Sequence, residues 1–273
     1  KKTTDGAARI VHLARSGFQA GKAILRFDIR NAFNVARRAL IRKLIESDPD
    51  MLRYFMTMYA PSSKLCVFGP DGQFAFVDSE EGVRQGDAFS SFFFCILMDQ
   101  VCLELREKFP DADVWAYMDD LTVAVDKHLA DDAARECVRL LEKYGFTANF
   151  EKSACICDDD AFTSTVLKTC RGAQAFGMLG GNITEAYEDY NADQIDRILK
   201  FFGVFDKCDL HPQLQLTILR LCGFPKMRFY ASITPPDFSL EVLEIFQKLA
   251  AERLEPDRDV KKCLAAALDS QSG

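Results

Sequence analysis

Val114-Trp115-Ala116-Tyr117-Met118-Asp119-Asp120-Leu121-Thr122-Val123-Ala124-Val125 is the stretch that decides how the chain reads. Two adjacent carboxylates lie between short apolar runs rich in valine, alanine and aromatic residues, with no helical period and with Pro110 upstream. That pattern predicts a β-hairpin: a strand over 114–117, a tight turn at Met118-Asp119 and a second strand over 121–125. An acidic pair in such a turn repels itself and costs stability unless a cation neutralises it. Alone, Asp-Asp would be an ordinary solvated turn. A third carboxylate changes the reading, because Ala23-Ile24-Leu25-Arg26-Phe27-Asp28-Ile29 reads as a buried strand ending near Asp28. Three convergent carboxylates make a hard-oxygen site suited to Mg²⁺, and two such ions clamp an in-line phosphoryl transfer.

Outward from these strands, residues 5–21 read as a helix closed by Gly21, and Asn31 stands where it can cap a helix running to about Ile45. A helix over 50–60 is expected to stop at Pro61. Gly69-Pro70-Asp71-Gly72 joins two β runs, 64–68 and 73–77, as a second hairpin. A polar, glycine-bearing loop over 80–87 then opens a long apolar helix, 90–108. After the acidic hairpin come a helix at about 129–144 ending at Gly145, a strand over 149–157, and a glycine-punctuated β segment over 176–183. From Asn191 the pattern is helical, with helices expected over 192–202, 212–222 and 238–253 and a domain boundary near 185–191. The order predicts an α+β fold: an antiparallel sheet with helices on one face, bringing Asp28 and Asp119-Asp120 to one exposed edge.

A chain of 273 residues with 48% hydrophobic content can bury a substantial core. Its longest apolar run, 92–98, is far too short to cross a bilayer, so no membrane partner is expected, and no apolar segment follows Lys1-Lys2-Thr3-Thr4-Asp5 as a signal peptide would require. Ten cysteines are scattered among apolar residues without metal-ligand spacing, so free thiols in a reducing, intracellular compartment are expected. The net charge of −7 opposes simple nucleic-acid binding, yet Arg26, Arg30, Arg37, Arg38, Arg42 and Lys43 crowd one N-terminal region.

Several stretches stand in one order that resembles the palm of reverse transcriptases, specifically those of non-LTR retrotransposons. Phe27-Asp28-Ile29-Arg30-Asn31-Ala32-Phe33-Asn34 resembles the first palm motif, and Gly82-Val83-Arg84-Gln85-Gly86-Asp87 the loop that positions template and nucleotide. Tyr117-Met118-Asp119-Asp120 is similar to the catalytic turn. Gly145-Phe146 with Asn149-Phe150-Glu151-Lys152-Ser153 resembles the fourth motif, and 176–183 the primer-grip hairpin. Singly, Phe33 would be a core aromatic, Lys152, Arg84 and Gln85 solvated surface residues, and Gly82 and Gly86 mere turn markers. Residues from Leu210 to Pro225 and Thr234-Pro235-Pro236 resemble the region after the palm in site-specific elements of the kind found in trypanosomatids.

The resemblance implies an RNA-directed DNA polymerase with a palm over 1–188 and a helical thumb-like region over 189–273. It implies that Asp28, Asp119 and Asp120 hold two Mg²⁺ ions, with Mn²⁺ as the alternative, and that Lys152 assists the leaving pyrophosphate. Phe33 would gate the sugar, while Arg84, Gln85, Gly86 and Tyr117 would contact nucleotide or template. The implied partners are an RNA template, a DNA primer, dNTPs and further domains of one polyprotein, acting in the nucleus. Ala88 stands where the family commonly has proline, and no fingers strands are identifiable before Ala23. A catalytically retired palm serving as a scaffold or nucleic-acid-binding module, and a different palm enzyme, remain the alternatives.

Overall fold

The computed structural model describes residues 5–60, 63–159, 161–208 and 210–254. In chain order the elements are α1 (Gly6–Gln19), β1 (Ala23–Asp28), α2 (Ala32–Val35), α3 (Arg38–Leu44), α4 (Pro49–Tyr59), β2 (Ser63–Phe68), β3 (Phe74–Ser79), α5 (Ser90–Lys108), β4 (Asp113–Tyr117) and β5 (Asp120–Val125). They continue with α6 (Ala130–Lys143), β6 (Ala154–Cys157), β7 (Lys168–Arg171), β8 (Gly177–Met178), β9 (Gly181–Asn182), α7 (Tyr187–Lys207), α8 (Pro212–Ile218), α9 (Phe224–Ile233) and α10 (Pro236–Leu254). Contacts divide the described residues into two compact units: 16–171, and 5–15 together with 172–254. The division falls upstream of the 185–191 interval, because the β8/β9 hairpin packs with the later helices.

The first unit is built on a five-stranded sheet of order β4-β5-β1-β6-β7. β1 is central because it is apolar on both sides: Ala23, Ile24, Leu25 and Phe27 are fully buried. Ala23, Leu25 and Phe27 share a core with Leu121, Val123 and Val125 of β5 and with the buried stripes of α5 (Phe93, Phe94, Leu97, Val101, Leu105) and α6 (Ala133, Ala134, Cys137, Leu140, Leu141). Strand alternation turns Ile24, Arg26 and Asp28 to the other face. There the last turn of α1 covers one end, where Gly17 lies against Ala124 and Ile24.

The sheet is mixed rather than wholly antiparallel. β4/β5, β5/β1 and β1/β6 are antiparallel, but β6 pairs with β7 in parallel. β7 escapes the sequence pattern because Lys168-Thr169-Cys170-Arg171 has one apolar residue, and the expected strand over 149–157 contracts to Ala154–Cys157 because residues 149–153 form a turn. The helix expected after Asn31 is two helices. Asn31 lies in the left-handed region (φ 49°) without a side-chain capping bond, and the break after Val35 frees the Ala36 carbonyl to accept from the Gly82 N–H (3.0 Å). Pro61, expected to end α4, lies outside the described residues, as do residues 255–273.

In the second unit, Tyr187, Tyr190, Ile198, Phe202, Leu219, Tyr230, Val242, Phe246 and Ala250 form the core. The glycine-punctuated segment is a two-residue hairpin, its turn at Leu179-Gly180 left-handed at both positions as such turns require. Arg15 draws the start of α1 onto this unit by donating to the carbonyls of Asn182 (2.6 Å) and Ile233 (2.7 Å). The helix expected over 212–222 continues through a π turn, Leu219–Gly223, into α9, because Pro225 sits in a first helical turn instead of ending the run. All nine described cysteines are free. Among the described residues no helix is long and apolar enough to cross a membrane.

Candidate active site

The acidic hairpin forms as its sequence predicts, β4 and β5 flanking Met118-Asp119 with Tyr117 opposite Asp120. Met118 is left-handed (φ 53°) at the first turn position, where two-residue hairpins ordinarily carry glycine. A side chain held there stores about 1 kcal/mol or more of strain.

Register then joins the distant parts. Asp28, the last residue of β1, is the direct partner of Asp120, the first of β5. Both face away from the α5/α6 layer by alternation. Burial raises the Asp120 pKa first, Asp119 and Asp28 raise it further, and Arg26 opposes them. A group of like charges held together in this way is relieved by a cation.

Asp28 and Asp119 line one open cleft of about 600 Å³ with Arg30, Phe33, Gln85 and Lys152. Phe33 is stacked on Phe94 (4.8 Å between centroids, 11° between planes), which fixes it as a wall of the cleft. Phe33 and Gln85 also line an adjoining hollow with Gly86 and Asp87. Lys152 is exposed on the 149–153 turn, and its carbonyl accepts from Arg26 Nη2 (3.0 Å). Tyr117 is 44% exposed at the end of β4. The Arg84 guanidinium lies 5.4 Å from the Tyr59 ring centroid.

The loop beside the cleft is held by bonds between residues distant in the sequence. Gly82 is left-handed (φ 77°), and a Cβ there would stand 2.4 Å from the Asn34 carbonyl oxygen, so only glycine fits. Arg38 donates to the carbonyls of Gly82 (2.8 Å), Ser79 (2.6 Å) and Glu81 (3.0 Å). Asp87 accepts from the Tyr54 hydroxyl (2.6 Å), the Tyr59 hydroxyl and the Phe89 N–H (3.2 Å). Burial disfavours the Asp87 charge, but these donors outweigh it and hold the pKa below the usual range; burial and the same bond push Tyr59 up to about 12. Asn149 opens the stretch that resembles the fourth motif, but that resemblance assigns a role to Lys152 alone. Asn149 Nδ2 donates to Asp28 Oδ2 (3.0 Å), a pairing across 121 residues that no local pattern announces.

The donor set fits a hard divalent cation: three carboxylates, two related by register and the third in the adjoining turn. Among the described residues no group of three or more acidic, histidine or cysteine side chains is placed so that it could hold a metal ion. What the arrangement offers is a cleft lined by Asp28 and Asp119, an aromatic ring and a lysine, with Asp120 beside them but not among its lining residues.

Residues 5–202 match the family described as reverse transcriptase (RNA-dependent DNA polymerase). The chain is 23% identical, over 230 residues, to the "Retrotransposable element SLACS 132 kDa protein" of Trypanosoma brucei gambiense. That match takes in 79% of this chain but 18% of the relative, so the chain spans under a fifth of it. Its fold is similar to telomerase of Candida albicans in complex with a telomeric RNA fragment (TM-score 0.52, 11% identity, 97% of this chain and 54% of that one). Apo telomerase of Candida tropicalis is comparable (TM-score 0.52, 12% identity, 93% and 46%). At such identities the likeness concerns the fold alone.

Proposed function

The chain belongs to the reverse transcriptase (RNA-dependent DNA polymerase) family, and on that premise we propose that it is the polymerase domain of a retroelement protein, extending a DNA primer with dNTPs along an RNA template. The observation that carries this reading is the register pairing of Asp28 with Asp120 beside Asp119, at a cleft walled by Phe33. In this reading residues 1–188 act as the palm, 189–273 as a thumb-like region, and a longer polyprotein supplies the remaining domains. The 18% span of the trypanosome relative supports that last point.

Asp28, Asp119 and Asp120 would hold two Mg²⁺ ions, or Mn²⁺ in their stead. When bound, such ions lower the pKa of the primer 3′-hydroxyl and neutralise the triphosphate and its leaving group. The chain's own residues do the positioning. Phe33, braced by Phe94, cannot swing aside and crowds a ribose 2′-hydroxyl. Lys152 in the cleft lining brings positive charge, and a proton, to the departing pyrophosphate. Gln85 and Gly86 line the hollow next to Phe33 and contact nucleotide and template, with Arg84 and Tyr117 flanking. Catalysis by positioning and charge stabilisation is the general pattern of phosphoryl transfer.

Primer extension on an RNA template with dNTPs and Mg²⁺ tests the reading, with the Asp119→Asn variant beside the parent and the longest soluble form containing these residues. Extension by the parent and none by the variant is expected. Silence from both, in folded protein that Mg²⁺ does not stabilise, would instead identify a retired palm. Phe33→Ala should admit ribonucleotides; unchanged sugar selectivity would point to a different palm enzyme.

A further inference from the structure

We propose that Asn149 is a positioning residue for Asp28, and that the 149–153 turn is a clasp that presents the Asp28 carboxylate to a divalent ion. The proposal rests on the metal-site reading above and extends it to a residue outside the carboxylate set.

Asp28 is held at three points by this one turn. Its N–H donates to Ser153 Oγ (3.1 Å), its carbonyl accepts from the Asn149 N–H (2.8 Å), and its Oδ2 accepts from Asn149 Nδ2 (3.0 Å). The turn is closed on itself, the Ser153 N–H donating to the Asn149 carbonyl (2.8 Å), and Ser153 is 1% exposed. Upstream, the Arg30 N–H donates to the Thr147 carbonyl (2.9 Å), continuing the pairing of Ile29 with Ala148. The backbone of Asp28 therefore cannot shift without opening this ladder.

The side chain of Asn149 carries a cost that its structural surroundings do not explain. Its Oδ1 is buried and has no hydrogen-bond partner among the described residues. An unpartnered buried amide oxygen is destabilising, so an apolar residue would serve the turn better if packing were all that mattered. The bond from Nδ2 to Asp28 is the compensating interaction. It stops rotation of the carboxylate, leaving Oδ1 and the second lone pair of Oδ2 for an ion. A neutral amide does this without bringing a positive charge that would compete with the cation, as an arginine or lysine would. A donor that orients a metal-binding carboxylate is a general device for setting metal affinity. Lys152 lies on the same turn, and it and Asn149 line the cleft together with Asp28.

The test measures bound Mn²⁺ directly, from the electron paramagnetic resonance of the free ion. The Mg²⁺ concentration that gives half-maximal thermal stabilisation is followed beside it. Parent, Asn149→Ala, Asn149→Ser and Asp119→Asn are compared. Asn149→Ala should raise the half-saturating Mn²⁺ concentration about tenfold and leave the metal-free Tm near the parent's. A folded Asn149→Ala with the parent's metal titration overturns the proposal. Should Asn149→Ala fail to fold, Asn149→Ser keeps the backbone bonds of the turn and should show the same shift; parent-like binding there overturns it equally. Asp119→Asn separates the two readings. If it binds metal as the parent does, the metal site itself is wrongly assigned and both readings fall. If it loses binding while Asn149→Ala does not, only the clasp falls.

Discussion

Two antiparallel strand pairs of the first unit, β1/β5 and β2/β3, are equal in strand length and similar in apolar content, yet they differ in almost every other respect. In β1/β5 the apolar side chains are sealed, Leu25, Phe27, Leu121 and Val123 all at 0% exposure. In β2/β3, Leu65, Val67, Phe74 and Phe76 are 51–62% exposed and Phe68 is 73% exposed. The difference is cover. Helices α5 and α6 lie over one face of β1/β5 and the end of α1 over the other, whereas among the described residues β2/β3 pairs only with itself. A strand forms from local alternation, but its electrostatics come from what is packed on it. Only the covered pair can hold carboxylates at its open end in low-dielectric surroundings, where Asp120 is kept above its usual range.

The sharpest way to separate the pairs is at the end of β1. Asp28→Asn should lower primer extension about a thousandfold or more while the Tm holds or rises slightly, because one of three repelling charges is gone. An active variant would show that the covered pair carries no chemistry. Next in size, Phe27→Ala in the sealed core should cost about 3–5 kcal/mol in denaturant unfolding; a loss under 1 kcal/mol would mean the cover is loose.

The cover itself can be probed through Glu136 on α6, which accepts from Arg139 (2.6 Å) and Lys108 (2.7 Å). Those bonds, led by Arg139, outweigh burial and hold its pKa at about 2. A carboxyl depressed in the folded state stabilises above its unfolded pKa, near 4.5, and loses that contribution as the pH falls from there towards about 2. Both basic partners are more than half exposed, so screening leaves about 1 kcal/mol. Glu136→Gln should show that deficit at neutral pH and converge with the parent in acid; parallel curves would refute it. The smallest effect belongs to the open hairpin. Phe76→Ser should change stability by no more than about 0.5 kcal/mol, and a larger loss would reveal a cover that the described residues do not contain.

The site was legible in proportion to how local its signals are. Asp28, Asp119 and Asp120 stand out because acidic residues at strand ends contradict the apolar pattern around them. Phe33, Gln85 and Lys152 were placed through the resemblance, and the cleft brings them beside Asp28 and Asp119. Asn149 and Asp87 stand in motif-like stretches and Arg38 in a basic cluster, but the bonds they make were not legible, since each acts through partners distant in the sequence. β7 was missed for a related reason: a four-residue strand with one apolar position exists only because β6 offers it an edge.

By itself the sequence determined the β1 strand, the acidic hairpin, the order of helices and strands, and the family. These follow from periodicity, turn chemistry and residues in fixed succession, all properties of neighbours along the chain. Tertiary structure alone decided that Asp28 faces Asp120, that an amide far along the chain holds Asp28, that the sheet ends in a parallel strand, and which apolar strands are covered. Those outcomes depend on register and on cover between distant segments. A strand's own residues state which side is apolar, but not what will lie against it.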